Sequence, residues 1–397
     1  MNNSIIIKPK PFSDIPINHT VIPQSELNID DKIRSNLFTW NGQFSPQFVE
    51  SLLKRYAKTG SRVIDPFVGS GTTLCECARI GLQAYGVELN VSAYYMSKTY
   101  EIANISIEKR RDILSSIELF ILSINNDENI TSELLKFIES SSKWQANLVS
   151  TLIILLDLYN NNVSLELLFK KWNHLKTIVL NIPFSSNLIQ VQRGDSRNIK
   201  LPDDNAELLI TSPPYINVFN YHQKYRRSVE CLGFNVLSIA KSEFGSNRKN
   251  RGNRFLTVIQ YCIDMALSLK EAVRVCCYGS RMIYVVGRES SVLGYSFCNS
   301  ELIYNLATEI FGLRLVVRQE RVFKNRYGKM IFEDILNFSN TSLDVYDTSE
   351  IIERSRQVAI NMLEEKYSEN TNSKNRDLLK QAINKAHIVK PSEANNG

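Results

Sequence analysis

Read by the spacing of its apolar positions, the chain alternates between short buried runs and stretches of helical periodicity. Residues 206–210 are mostly apolar and too few for a helix, so they read as a buried strand. Pro213 and Pro214 follow closely, and proline lacks a ladder donor and holds its predecessor extended. The chain therefore leaves the strand in a stiff turn, Thr211-Ser212-Pro213-Pro214-Tyr215, at a carboxyl end of the kind where open α/β sheets place ligands. Other runs predict strands at 62–65, 83–88, 188–191 and 281–287, and a hairpin of 313–318 with 334–340. Ser45 and Pro46 read as the cap and first position of a helix in which Phe48, Leu52 and Tyr56 recur, stopped by Gly60. Leu74 and Ala78 mark a further helical pattern directly behind a glycine turn, and another runs through 257–275.

Residues 98–185 are helix-like throughout. Ile113, Ile117, Phe120 and Ile121 form one stripe, and Leu148, Leu152, Leu155, Leu156 and Tyr159 another. One helix suffices to cross between the second and third strands, so most of this stretch reads as a helical insertion: structural cover, a brace for the site, or a contact for DNA or protein. Residues 1–37 read as an extended, proline-punctuated arm, 38–340 as the main domain interrupted by that insertion, and 341–397 as a charged helical tail ending in disorder.

Composition narrows the chemistry. The 397 residues carry a formal net charge of +6, too mild to identify a polyanionic partner without clustering. The 7 cysteines are scattered and odd in number, which suits reduced thiols in the core rather than disulfides. With 4 histidines far apart, neither a metal centre nor a histidine hydrolase is expected. No apolar run is long enough to cross a membrane, and a cytoplasmic location is expected.

The first predicted strand runs into Asp65-Pro66-Phe67-Val68-Gly69-Ser70-Gly71-Thr72-Thr73, with a helix directly behind it. Gly69 and Gly71 let the backbone approach a ligand, and the helix N-terminus offers N–H groups. The run lacks Gly-Lys-Ser/Thr, so it is no P-loop. Glu88 ends the second strand, where a carboxylate can accept ribose hydroxyls.

This motif resembles the S-adenosylmethionine loop of the amino-directed (N4-cytosine/N6-adenine) DNA methyltransferases. The resemblance implies a Rossmann-like class I methyltransferase: an α/β fold with a seven-stranded, mostly parallel sheet, an antiparallel hairpin strand and, here, the helical insertion. It implies S-adenosylmethionine as cofactor, contacted by Phe44, Asp65, Pro66, Phe67, Gly69, Gly71, Thr72, Glu88, Asp195 and Thr211. Asp195, in Arg193-Gly194-Asp195-Ser196, resembles the family acid that approaches the adenine amino group. Val91 departs from the family pattern, which often has proline there. Ser212, Pro213, Pro214 and Tyr215 resemble the catalytic turn, with Ser212 Oγ and the Pro213 carbonyl as acceptors for the target amine and Tyr215 stacking on a flipped base.

Serine in the first position of the turn resembles the cytosine-N4 enzymes, whereas adenine-N6 enzymes mostly carry aspartate or asparagine. The expected function is thus site-specific cytosine-N4 methylation of double-stranded DNA, within restriction–modification or phage defence and with a cognate endonuclease as a possible partner. The alternatives are adenine-N6 methylation, an RNA amine methyltransferase, and a non-catalytic DNA-binding subunit. Residues 216–256 are expected to contact DNA. Lys224, Arg226 and Arg227 lie just after the turn, and Arg248, Lys249, Arg251 and Arg254 lie in a Gly/Asn/Ser-rich stretch. Lys324 and Arg326 sit at the expected hairpin tip.

Overall fold

The computed structural model describes residues 10–216, 221–245, 250, 252–325, 328–342, 346–369 and 374–394. Its strands are β1 Arg62–Asp65, β2 Gln83–Glu88, β3 Ile189–Arg193, β4 Ala206–Thr211, β5 Cys276–Gly287, β6 Glu289–Val292, β7 Tyr295–Cys298, β8 Arg314–Lys324 and β9 Met330–Ser339. Among the described residues, seven strands order β3-β2-β1-β4-β5-β9-β8, and β6 pairs with β7 in a separate ribbon. β1 with β2, β2 with β3 and β4 with β5 pair in parallel, while β9 runs antiparallel to β5 and β8. This is the expected Rossmann-like methyltransferase sheet with its inserted antiparallel strand. The expected hairpin exists, but its strands are longer than the apolar runs that announced it. The polar residues that extend them are held by cross-strand pairing from Arg314↔Ser339 to Lys324↔Met330.

The chain divides into two compact units. The first to consider comprises Lys32–Asp195, Asn220–Ala240 and Asn395–Gly397, and contains β1 to β3. The insertion lies within it as the helices Ile107–Ser123, Ile130–Ser140, Lys143–Leu156 and Leu165–Asn181. It leaves and returns at one point: Ser185 N donates to the Ala103 carbonyl, and Asn104 Nδ2 donates to the carbonyls of Ser185 and Asn187. Arg110, buried, fastens the excursion by donating to the carbonyls of Ile105, Val179, Ile182, Ala103 and Pro183. A guanidinium is suited to this, because it brings five donors to carbonyls left over at a helix end. Of the predicted stripes, Ile117, Ile121, Leu148, Leu152, Leu155 and Leu156 are buried. Tyr159 is not; it is 66% exposed, and the Arg227 guanidinium lies over its ring at 5.2 Å.

The second unit comprises Met1–Asp31, Ser196–Phe219 and Lys241–Ala394. Two expectations change here. Residues 10–31 are not a free extended arm, because Phe12, Ile22 and Leu27 are buried and Asn18 N donates to the Arg318 carbonyl on β8. The polar, proline-rich spacing hid three anchors too far apart to show a period. At the other end, the helices Thr348–Glu369 and Arg376–Asn384 bury Ile351, Val358, Leu363 and Leu379. Ser392, expected in a disordered end, is buried and donates through Oγ to Asp264 Oδ2 at 2.6 Å, and Arg197 bonds the carbonyls of Ser392 and Glu393. Residues 395–397 lie outside the described residues.

Candidate active site

The glycine loop is held by the motif's own side chains. Asp65 Oδ1 accepts from Phe67 N at 3.1 Å, and Asp65 Oδ2 accepts from Thr73 Oγ1 at 2.7 Å. Asp65 is 2% exposed, so its work is to shape the turn. Gly71 adopts φ +95°, and a Cβ there would meet the Tyr100 ring at 2.6 Å. Gly86 is also closely placed, since its Cβ would lie 2.9 Å from Val68. Thr72 Oγ1 receives Asn36 Nδ2 at 2.9 Å, and Phe44 is buried against Phe48 with ring centres 5.6 Å apart. Phe44 and Thr72 are therefore built into the wall behind the loop.

Glu88 ends β2 and reaches back to this loop. Its Oε2 accepts from Gly69 N at 2.7 Å and its Oε1 from Asn90 N at 2.7 Å. A carboxylate has about four lone-pair sites, so acceptor capacity remains for a further donor. Burial nevertheless pushes the carboxyl up to about 7, against the backbone donors of Asn90, Gly69 and Leu89 that pull it down. The third strand ends beside the second: Gly194 N donates to the Glu88 carbonyl, and the next residue, Asp195, is buried.

Sequence reasoning missed an aromatic wall in the same unit. Trp40 stacks on Tyr221 and Tyr225, with ring centres 6.3 and 6.4 Å away. Its indole also neighbours Gly69, where a Cβ would stand 3.6 Å from Trp40 Cδ1. Asn90 Nδ2 donates to the Tyr221 carbonyl at 3.1 Å, and Gln43 Oε1 receives Ser70 Oγ at 2.8 Å. The one available signal was Trp40 in a glycine-containing loop before the motif.

The Ser-Pro-Pro-Tyr turn belongs to the other unit and is held from a distance in sequence. Tyr261 donates its hydroxyl to the Pro214 carbonyl at 2.6 Å, and Asn299 Oδ1 accepts from Ile216 N at 3.4 Å. The Tyr215 ring lies on Gly287, where a Cβ would stand 2.6 Å from Tyr215 Cε2. Tyr215 Oη is 3.5 Å from Ser212 Oγ and donates to Glu333 Oε1 at 3.4 Å. Thr211 is fully buried at the end of β4, and Pro213 is also buried. A glycine ending a long apolar strand signals a close approach, which is the clue that Gly287 offered.

The expected DNA-contacting cations separate into groups. Lys224 Nζ lies 4.5 Å over the Trp40 ring and 5.4 Å over Tyr225, and burial lowers its pKa. Arg226 pairs with Glu230 at 2.8 Å, and Arg227 covers Tyr159. Arg254 and Lys324 are exposed. Arg248, Lys249, Arg251 and Arg326 lie outside the described residues. Among the described residues, no group of histidine, cysteine, aspartate or glutamate side chains is arranged to hold a metal, and no helix is long and apolar enough to cross a membrane.

Residues 10–99 match the DNA methylase family. The chain is 32% identical over 108 residues to the type II methyltransferase M.MjaII of Methanocaldococcus jannaschii, covering 26% of this chain and 20% of that protein. It is 23% identical over 341 residues to the type II methyltransferase M.MvaI of Kocuria varians, covering 62% of this chain and 74% of the relative. Among solved structures, a SAM-dependent methyltransferase of Methanosarcina mazei aligns over 72% of this chain and 96% of its own at 9% identity, with a TM-score of 0.35. The fold itself is read from the strand order.

Proposed function

We propose that this chain, a member of the amino-directed DNA methylase family by its residues 10–99, methylates the exocyclic N4 amine of cytosine in double-stranded DNA. The observation that carries the proposal is the braced Ser-Pro-Pro-Tyr turn, which pairs a hydroxyl with an aromatic ring fixed against Gly287.

S-adenosylmethionine is the cofactor of this family and supplies an electrophilic methyl on a sulfonium. The glycine-loop unit fits it chemically. Glu88 is the carboxylate proposed for the ribose hydroxyls and Asp195 the one proposed for the adenine amino group, while Gly69, lacking a Cβ, lets the backbone approach the cofactor. Asp65, Pro66, Phe67, Gly71, Thr72 and Phe44 act through the shape of that loop and its wall, and Thr211 through anchoring the turn.

An aromatic amine is a poor nucleophile because its lone pair is delocalised into the ring. Ser212 Oγ and the Pro213 carbonyl, as acceptors for its two hydrogens, favour a pyramidal nitrogen with a directed lone pair. The Pro214 carbonyl is already engaged by Tyr261, which leaves the acceptor work to Ser212 and Pro213. The target base must leave the duplex to reach this turn, and Tyr215 is the ring proposed to stack on it.

Serine at 212 favours cytosine-N4 over adenine-N6. A restriction–modification setting with a cognate endonuclease is part of this proposal. Single-molecule sequencing of DNA from a host expressing the chain is expected to show N4-methylcytosine in one short context, and Ser212→Ala is expected to abolish it. Methyladenine in its place would reassign the base, and a mark on RNA alone would reassign the substrate.

A further inference from the structure

We infer that Glu333, acting through the Tyr215 hydroxyl, takes up the proton that the acceptor amine sheds on methylation. The inference rests on the proposed reaction and extends it to a group outside the turn.

Three adjacent strands place the parts in one row. Glu333 on β9 lies opposite Gly287 on β5 and opposite Arg321 on β8. Gly287 has no side chain to occupy the row, so the Tyr215 ring lies on it and its hydroxyl reaches Glu333 Oε1 at 3.4 Å. From there Tyr215 Oη is 3.5 Å from Ser212 Oγ. Both contacts are long for O–H···O bonds, as such contacts commonly are before substrate tightens a site. Glu333 thus stands at the far end of a chain of exchangeable protons that begins at the amine-binding hydroxyl.

The charged and titratable groups facing Glu333 are Arg321 from β8 and Tyr215 from the turn. Arg321 Nη1 approaches Glu333 Oε2 at 3.4 Å, longer than a tight charge-assisted bond. Burial raises the Glu333 pKa, and Arg321 and the Tyr215 hydroxyl only partly oppose it. Such a carboxylate gains a proton more readily than an exposed glutamate. Glu333 also neutralises the largely buried Arg321, so its substitution is judged by the reaction as well as by folding.

The amine lone pair forms the N–C bond while the C–S bond breaks and its electron pair leaves on sulfur, so the nitrogen holds one proton too many. That proton passes to Ser212 Oγ, the Ser212 hydroxyl proton to Tyr215 Oη, and the Tyr215 proton to the Glu333 carboxylate. One N–H bond is lost and one O–H bond is gained, leaving a neutral carboxylic acid that releases its proton before the next turnover.

The test is single-turnover methyl transfer on substrate DNA, with saturating S-adenosylmethionine, measured across pH. Saturation removes the titration of Glu88, which acts on cofactor affinity. The wild-type rate is expected to fall as pH is lowered through a value above the usual carboxylate range, because only ionised Glu333 accepts a proton. Glu333→Gln keeps the size and a donor–acceptor group, yet is expected to lose that limb and about 10²-fold in rate, with cofactor and DNA affinity unchanged. Tyr215→Phe breaks the same path, so the double variant is expected to be no slower than the slower single one. Tyr215→Phe alone carries the test if Glu333→Gln fails to fold by thermal melting. A folded Glu333→Gln protein with the wild-type rate and pH limb overturns the relay while leaving the methyltransferase reading intact. A wild-type protein that methylates no DNA overturns that reading, and the relay with it.

Discussion

The glycine loop and the Pro-Pro turn each follow the carboxyl end of a parallel strand, yet they are stabilised over very different sequence distances. In the loop, Asp65 holds Phe67 and Thr73, and Glu88 holds Gly69 and Asn90, all within a short stretch of chain. In the turn, the partners are Tyr261, Asn299 and Glu333, separated from the residues they hold by 47, 83 and 118 positions. The loop is therefore a local structure that needs its own residues to be right. The turn is a stiff but passive segment whose geometry is imposed by distant strands and a helix.

That difference predicts two kinds of failure. Gly71→Ala puts a Cβ into a φ of +95° and 2.6 Å from the buried Tyr100 ring, with Ser97 Cα also close. Backbone strain and overpacking together are expected to remove roughly 3 kcal/mol of stability, read as a lower melting temperature, with cofactor binding lost alongside. Gly287→Ala is expected to act otherwise. Its Cβ displaces the Tyr215 ring, so the methyl-transfer rate falls by about 10²-fold while cofactor affinity stays at the wild-type value. If Gly287→Ala weakened the cofactor as much as the rate, the separation of local loop from imposed turn would fail.

The same contrast governs what was legible in the sequence. Asp65, Gly69, Gly71 and Glu88 are legible because their partners lie within reach of a motif, and the order strand, glycine turn, helix fixes their surroundings. Apolar runs likewise located the strand centres, since burial demands them, but not the polar ends of β8 and β9, which only cross-strand pairing sustains. Tyr261 and Gly287 read as ordinary helix and strand residues, and Glu333 falls just outside the strand expected at 334–340. Nothing within a few positions of them shows that they converge on Tyr215; that follows from β9 lying between β5 and β8. Phe12, Ile22 and Leu27 escaped for a related reason, being isolated apolar anchors in a polar segment with no period to expose them.

A smaller effect sharpens the account of the loop. With its carboxyl pushed up to about 7 by burial, Glu88 is largely protonated below that pH. Ribose hydroxyls donate best to the ionised form, so cofactor affinity is expected to rise between about pH 6 and 8 and then level off. The folding linkage has the opposite sign. A carboxyl whose folded pKa lies above its unfolded value contributes stability at low pH that is lost as pH rises through about 7. Glu88→Gln is expected to weaken cofactor binding by about tenfold, the cost of losing a charged acceptor, and to abolish both pH dependences. Calorimetric titration across this range checks it; a Glu88→Gln protein with the pH dependence intact would assign it to another group.

The smallest effects concern DNA, where the two units offer cations of different availability. A phosphate contact contributes about 0.9 to the slope of log affinity against log salt, provided the cation is free to replace a counterion. Arg254 and Lys324 are exposed and meet that condition. Lys224 does not: it lies over Trp40 and Tyr225, and burial already disfavours its charge. Arg226 is shared with Glu230, and Arg227 covers Tyr159. Replacing Arg254 and Lys324 by glutamine is thus expected to flatten the salt slope by nearly two units, measured by fluorescence anisotropy at several salt concentrations. Lys224→Gln is expected to change the slope little, because what it removes is packing on the Trp40 ring beside Gly69, and its effect belongs to the glycine loop. An equal loss of slope from Lys224→Gln would show that the lysine leaves the aromatic wall when DNA binds, and would make residues 221–231 part of the nucleic-acid surface.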